Sequence, residues 1–463
     1  MKAKSRASSL LLIGMAALLL RLAPLIRQDL KFQTGWDAAD YIPLAQGIEH
    51  GCGFARFVNG HCGSPDVSRP PGYPYFVALM PNLRCVLVVQ AILGAALCAW
   101  LGWFVSARWR VETGLLAGTL LAIDIPTIVY GAMIMSEATF QFLVTGAILL
   151  QLSAIVAADW TWRATTQVIA AAIMLAAAAM IRPTGLLLPL FAPVPFLFRK
   201  GTTWPRAFAF AMLAVTIPTA AMLAWTARNQ RIAGVDAMSS DSAVTIFYYN
   251  ATGVLAYATH RPFVDASTEL AHEIGYYGDA SATPAKLTQR MIRKSIEVLA
   301  EHPLATLIVT ARGLILVASV PDRNELNKMI GTTGGGPLGL APSFDTIARI
   351  QNTLKSPILA ILVSIQLILN LFVWAGVARA VFRCHWSSTI EAATILIPLV
   401  VIFAMLACAA SPAAHARFRV PAVPFLAMLA AIGWWGKRER EMASPETAIR
   451  DYATDVGSIA SQA

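Results

Sequence analysis

Asp37 and Asp40 stand one helical turn apart in "GWDAADYIPLAQGIEHG", residues 35–51, directly after the first apolar run of the chain. A carboxylate so placed can take the proton of an attacking hydroxyl as a general base. Other charged residues recur at the ends of later apolar runs. Arg69 lies in "SRPPGYP", Glu137 in "MSEATF", Arg182 in "IRPTG", Arg228 beside Asn229, and His415, Arg417 and Arg419 in "HARFRVPAVP". A guanidinium group grips phosphate through two parallel hydrogen bonds and stays charged. An acid among several such forks suits transfer of a group away from a phosphate, with arginine charge stabilising the departing phosphate. Asp37 is the candidate catalytic residue; Asp40, Tyr41, Arg69, Glu137, Arg182, Arg228, His415, Arg417 and Arg419 are the candidate substrate- and phosphate-binding residues.

Each residue also has a plainer reading. Asp37 suits the N-cap of a helix over 38–48, with Asp40 favourably placed in its first turn. "RPPGYP" suits a turn before a helix. Glu137 competes with Ser136 as a helix cap, and single arginines at helix ends serve as headgroup anchors. The "GGG" at 334–336 lacks the lysine and hydroxyl residue of a phosphate-binding loop, and His260, His272 and His302 are scattered loop residues. The balance moves towards a site because all the end-of-run charges share one side.

That side follows from the elements that carry them. The chain has 463 residues, 57% hydrophobic and 13% charged, and a mean hydropathy of +0.61, far from a soluble domain. It reads as an all-α polytopic membrane protein. Apolar runs long enough to cross a bilayer lie at 8–26, 83–106, 114–130, 136–157, 165–181, 206–226, 356–380, 389–410 and 420–436, with a shorter one at 184–198. The first run has no small-residue cleavage site before Arg27 and is read as a retained helix. With the N-terminus inside, Lys2, Lys4, Arg6, Arg108, Arg110, Arg163, Arg199, Lys200, Arg206, Arg379, Arg383, Lys437, Arg438 and Arg440 all fall on the cytoplasmic side. The net charge of +10 is therefore topological, and no basic soluble module for nucleic acid is visible.

About ten crossings return the C-terminus to the cytoplasm. The run at 303–320 would make eleven; with Arg312 at its centre it reads as a helix at the outer interface or re-entrant. The module then covers 1–436, with outer segments at 27–82 and 227–355 and a polar cytoplasmic tail at 437–463. The second outer segment reads as loop-like. No inverted repeat is evident.

Cys85, Cys98 and Cys408 lie within apolar runs and Cys384 on the cytoplasmic side, whereas Cys52 and Cys62 share an outer Gly-rich loop and are the disulfide candidates. A zinc site from Cys52, His61 and Cys62 lacks a fourth ligand.

The order "WDAADYIPLAQGI", "RPPGYPYFVAL", "MSEATF", "IRPTGLLLPL", "ARNQRIAG", "ARFRVPAVPFLAML" resembles the GT-C superfamily of integral membrane glycosyltransferases, in particular the family 39-like group of protein O-mannosyltransferases and aminoarabinose transferases, over about residues 8–436. The resemblance implies juxtamembrane helices in the first outer loop and inverting transfer of a sugar from a polyprenyl-phosphate donor to a hydroxyl acceptor, a lipid, glycan or protein. It implies a bacterial inner membrane, a site on the periplasmic face, Asp37 as the catalytic carboxylate, and Arg69, Arg182, Arg417 and Arg419 holding the lipid phosphate. Many relatives carry Asp-Glu where this chain reads Asp37-Ala38. No cofactor is assigned and a divalent metal is left open, since a lone carboxylate is a poor magnesium or manganese site. Competing readings are a lipid-linked-sugar flippase or transporter, a polysaccharide polymerase or ligase, and a non-catalytic scaffold.

Overall fold

The computed structural model describes residues 3–26, 37–156, 162–187, 204–276, 283–319, 321, 323–330, 356–384, 389–411 and 415–436. The run at 184–198 falls mostly outside them, as do the tail from 437 and the glycines at 334–336. The helices are α1 (Ala3–Leu22), α2 (Ala38–Glu49), α3 (Gly72–Ala78), α4 (Leu83–Ser106), α5 (Val111–Ala122), α6 (Ile125–Gly131), α7 (Glu137–Val156), α8 (Trp162–Ile181) and α9 (Trp204–Ala233). They continue with α10 (Asp241–Val244), α11 (Thr252–Thr259), α12 (Phe263–Glu273), α13 (Pro284–Glu301), α14 (Pro303–Ser319), α15 (Arg323–Ile330), α16 (Pro357–Arg383), α17 (Thr389–Ala409) and α18 (Val423–Trp435). A 3-10 stretch, Ala416–Ala422, leads into α18.

The protein is a polytopic all-α membrane protein. Among the described residues eight helices are long and apolar enough to cross a bilayer, and ten if two bent pairs each count as one span. The expected run at 114–130 is one of these pairs: α5 and α6 meet at a 54° bend. Asp124 causes the break, its side chain accepting from Thr127 N at 2.9 Å and so capping α6. Across it, Arg21 of α1 donates to the α5 carbonyls of Leu121 at 3.2 Å and Ala122 at 3.5 Å. Gln366 of α16 accepts from Ile125 N and donates to Asp124, both at 2.9 Å. A broken helix inside a bilayer must have its freed backbone groups satisfied in this way.

Small residues let the spans close on one another. A Cβ on Gly433 of α18 would lie 1.9 Å from the Gly376 carbonyl oxygen of α16, so these backbones touch. The core they enclose includes Phe104, Phe140 and Phe425, all fully buried.

The second outer segment corrects the loop-like reading. Where described, it is helical from Asp241 to Ser319, with a small core of Phe247, Leu270, Met291 and Val298. In α13 the inward residues Met291, Ser295 and Val298 recur at helical spacing in an otherwise polar sequence, a pattern that average hydropathy conceals. The second bent pair joins α13 to α14 at 103°. The described part of that run, Pro303–Ser319, is thus a helix that turns sharply off its predecessor. Its C-terminal carbonyls are taken halfway along α16: Ser319 O accepts from Asn370 Nδ2 at 2.7 Å and Ala318 O from Trp374 Nε1 at 3.0 Å.

Candidate active site

The first outer loop is built to present acids. α2 packs against a short antiparallel hairpin of Ala55–Val58 and His61–Pro65, closed by a Cys52–Cys62 disulfide with Cα atoms 5.6 Å apart. Gly47 makes the approach feasible, since a Cβ there would fall 1.7 Å from the Ala55 carbonyl oxygen. At Gly72 the backbone lies against Met180 and Ile181 at the end of α8, which brings the "RPPGYP" turn beside Arg182.

Asp37 occupies the N-cap position of α2, as its plainer reading requires, but its side chain makes no capping hydrogen bond. The carboxylate turns instead to two arginines. Oδ1 accepts from Arg69 Nη2 at 3.1 Å, and Oδ2 accepts from Arg417 Nη2. Asp40 accepts from Arg69 through Oδ2 at 2.7 Å and from Arg56 through Oδ1 at 2.5 Å. Arg69 also donates to Asp241 Oδ2 at 2.9 Å, joining the two outer segments.

Glu137 opens α7 and is fully buried. Its Oε1 accepts from Arg182 Nη1 at 2.5 Å and from Arg417 Nε, while Oε2 has no hydrogen-bond partner among the described residues. Ser136 Oγ accepts from Arg182 at 3.3 Å and from Tyr41 OH at 3.5 Å. Far along α7, Ser153 accepts from Arg108 at 3.2 Å. Sixteen residues of helix rise about 24 Å, so the cluster and the Arg108 group mark opposite ends of one span.

Burial would raise the Asp37 carboxyl, but Arg417 and Arg69 outweigh it and hold it well below the usual carboxylate range. Asp241 goes the other way, raised by a burial that Arg69 only partly offsets. Burial, helped by Asp37, pushes the Tyr41 phenol up to about 12, so it remains a donor at neutral pH.

Of the residues singled out in the sequence, the structure brings together Asp37, Asp40, Tyr41, Arg69, Glu137, Arg182 and Arg417. Three stand apart. Arg228 donates to the carbonyls of Asp66 at 2.5 Å and Phe54 at 3.3 Å and lies 4.7 Å from the Trp225 ring centre, fastening the hairpin to α9. Arg419 is buried and donates to Val317 O at 3.1 Å and Ala318 O at 3.0 Å, holding the end of α14. His415 packs against Phe418 at 4.8 Å between ring centres. The sequence reading missed Arg56, Asp66 and Asp241. Arg56 lies on the first strand of the hairpin and Asp66 just after the second, and they pair at 3.0 Å; opposite charges on the two arms of one short Gly-rich loop were the available signal.

A divalent metal does not fit these side chains. Among the described residues no three His, Cys, Asp or Glu are grouped to share an ion. Both oxygens of Asp37 and of Asp40, and Oε1 of Glu137, already face guanidinium groups.

No family model and no curated protein matches the chain. Among solved structures it is similar to the apo oligosaccharyltransferase of Archaeoglobus fulgidus, with 15% identity and a TM-score of 0.49, over 92% of this chain and 50% of that one. The same archaeal enzyme, AglB, in complex with an inhibitory peptide and a dolichol-phosphate gives 12% identity and 0.47, over 92% and 50%. ArnT from Cupriavidus metallidurans bound to undecaprenyl phosphate gives 12% identity and 0.41, over 92% and 77%. The chain thus spans about half the length of the archaeal structures it matches. At these scores the likenesses give no residue of this chain a role.

Proposed function

We propose that this chain moves a sugar from a polyprenyl-phosphate carrier to a hydroxyl acceptor at the periplasmic face of a bacterial inner membrane, with inversion. The observation that carries the reading is the convergence of Asp37 with Arg69, Arg182 and Arg417 at one end of the helix bundle. The carrier and the inversion come from the family resemblance.

In the proposed reaction the acceptor oxygen bonds to the anomeric carbon from the face opposite the phosphate. The bond from that carbon to the phosphate oxygen breaks, its electron pair staying on the polyprenyl phosphate. The hydroxyl proton passes to Asp37. A carboxyl held so low is always ionised at neutral pH but is a weak base. Its proton transfer is therefore late, once the forming bond has made the acceptor proton acidic.

The five carboxylates Asp37, Asp40, Asp66, Glu137 and Asp241 outnumber the four guanidinium groups paired with them, those of Arg56, Arg69, Arg182 and Arg417. An anionic donor is consequently not drawn in by net charge. Directed donors must hold it, and Arg182 is the best placed: among the described residues its hydrogen bonds run through Nη1 alone, which leaves Nε and Nη2 as a fork.

A transporter reading finds one supporting feature, the polar groups at the α5–α6 break and the end of α14. Asp124, Asn370, Trp374 and Arg419 do line a cavity there, but it measures about 10 Å³, room for roughly one water. That is no substrate path.

The test is reconstitution of the full chain in vesicles with a polyprenyl-phosphate sugar and an extract of envelope acceptors. Release of polyprenyl phosphate together with a product of inverted anomeric configuration is expected. Movement of intact donor between leaflets without its cleavage would replace the reading with a flippase.

A further inference from the structure

Asp37 at the head of α2 and Glu137 at the head of α7 come from separate elements, yet one guanidinium group serves both. Arg417 donates through Nη2 to Asp37 and through Nε to Glu137. The Glu137 side chain is fully buried, and those of Asp37 and Arg417 keep 14% and 13% exposure. Two carboxylates held so close repel unless a cation lies between them. In reactions that expel a phosphate, that cation is often a divalent metal, which also steadies the charge of the leaving group. Such an ion needs about six oxygen ligands, and here both oxygens of Asp37 and Oε1 of Glu137 already face arginines, which leaves Oε2 of Glu137 alone.

We infer that Arg417 is the resident cation of this site: its guanidinium, clamped between Asp37 and Glu137, occupies the place of a divalent metal, and the chain neither binds nor uses one. The inference rests on the cluster being the transfer site, but its first readout does not require transfer.

The geometry gives the substitution a physical sense. A guanidinium is planar and keeps its charge under all accessible conditions, so two carboxylates fix both its position and its plane. Arg182 shares Oε1 of Glu137 and closes the group from the side of α8. Arg417 makes no hydrogen bond through Nη1 among the described residues, which leaves that donor for a phosphate oxygen. A metal would offer open coordination positions in the same place. Here one NH₂ group and the fork of Arg182 stand in for them.

The experiment uses the full chain purified in detergent. Elemental mass spectrometry and the electron paramagnetic resonance signal of free Mn²⁺ report binding, and transfer is assayed with and without EDTA. The expected result is no stoichiometric metal, an undiminished Mn²⁺ signal with wild type, and transfer unchanged by EDTA within about twofold. In Arg417→Ala the two carboxylates lose the cation they share, Asp37 keeping only Arg69 and Glu137 only Arg182. Transfer should fall by about 100-fold or more, and added Mn²⁺ should bind and restore at least about tenfold of it. If wild type binds Mn²⁺ and Asp37→Asn abolishes that binding, the inference is overturned. A folded Arg417→Ala variant that ignores Mn²⁺ and keeps wild-type turnover overturns it equally. Should Arg417→Ala fail to fold, wild type and Asp37→Asn decide the matter between them. A wild-type chain that binds no metal and transfers no sugar would defeat the proposed function and leave the cation assignment standing.

Discussion

Arg417 and Asp37 stand 380 positions apart in the chain, and their side chains form an ion pair. The last span is thereby tied to the first outer loop, and the guanidinium cannot move without disturbing the carboxylate. Glu137, on the other flank of Arg417, extends the tie to the middle of the sequence. Three stretches that are useless alone form one charged group. The predictions that follow come from that coupling and from the contacts around it.

The Asp37 carboxyl is lowered from 3.8 despite burial, so its ion pairs favour the folded state at every pH above that value. The stabilisation fades as the pH falls through the lower, folded value. The thermal midpoint of wild type should exceed that of Asp37→Asn by a constant margin between about pH 5 and 8. The margin should shrink below 3.8. A margin that widens on acidification contradicts the pairing.

Arg182 and Arg228 both end an apolar run in the sequence, and only Arg182 joins the cluster in the structure. Arg182→Ala removes a charged fork from the cluster, and donor KM should rise by about 10- to 100-fold, the worth of a charged hydrogen bond. Arg228→Ala loosens the hairpin from α9 and should lower stability while the donor KM of the folded fraction stays near that of wild type. Equal KM effects in both variants would refute the division.

Asp241 joins Arg69 from the second outer segment, with 29% of its side chain exposed. A pair that open contributes about 0–1 kcal/mol to stability. Asp241→Asn should therefore leave the melting temperature almost unchanged yet slow transfer, because it frees Arg69 from one of its anchors. Trypsin digestion, read at Arg69 and in the 227–276 region, should show the two outer segments more accessible in the variant.

Arg419 holds the end of α14; its removal takes the donor from Val317 O, while Ala318 O keeps Trp374 Nε1. Arg419→Ala should cost about 1 to 3 kcal/mol of stability without a selective effect on donor affinity. Single cysteines at 315–319 should resist membrane-impermeant maleimide from either side, as expected if α14 dips to the middle of α16. Ready labelling from the side that bears the Asp37 cluster would place α14 flat on the surface.

Much of the fold was legible because hydropathy over long windows reports crossings directly. Asp37, Arg69, Glu137, Arg182 and Arg417 were legible as members of one group because each ends or begins an apolar run. Arg419, two residues from Arg417, has the same sequence signal and the opposite orientation; a 3-10 turn decides which side chain faces out, and spacing alone does not reveal the turn. Asp241 was invisible because it sits in a polar stretch with no run to bracket it. The break at Asp124 was hidden inside an apolar run for the opposite reason: one acid barely changes a window average, yet it caps a new helix.

The central claim is that Asp37 accepts the acceptor's proton while the arginines hold the donor phosphate. Its most direct test is single-turnover sugar transfer by Asp37→Asn and Asp37→Glu in membranes containing matched amounts of inserted chain. The account predicts that Asn lowers the rate constant by at least about 100-fold with donor binding retained, and that Glu recovers part of the loss. A rate constant for Asp37→Asn within a few-fold of wild type, with the variant folded and inserted, would contradict it.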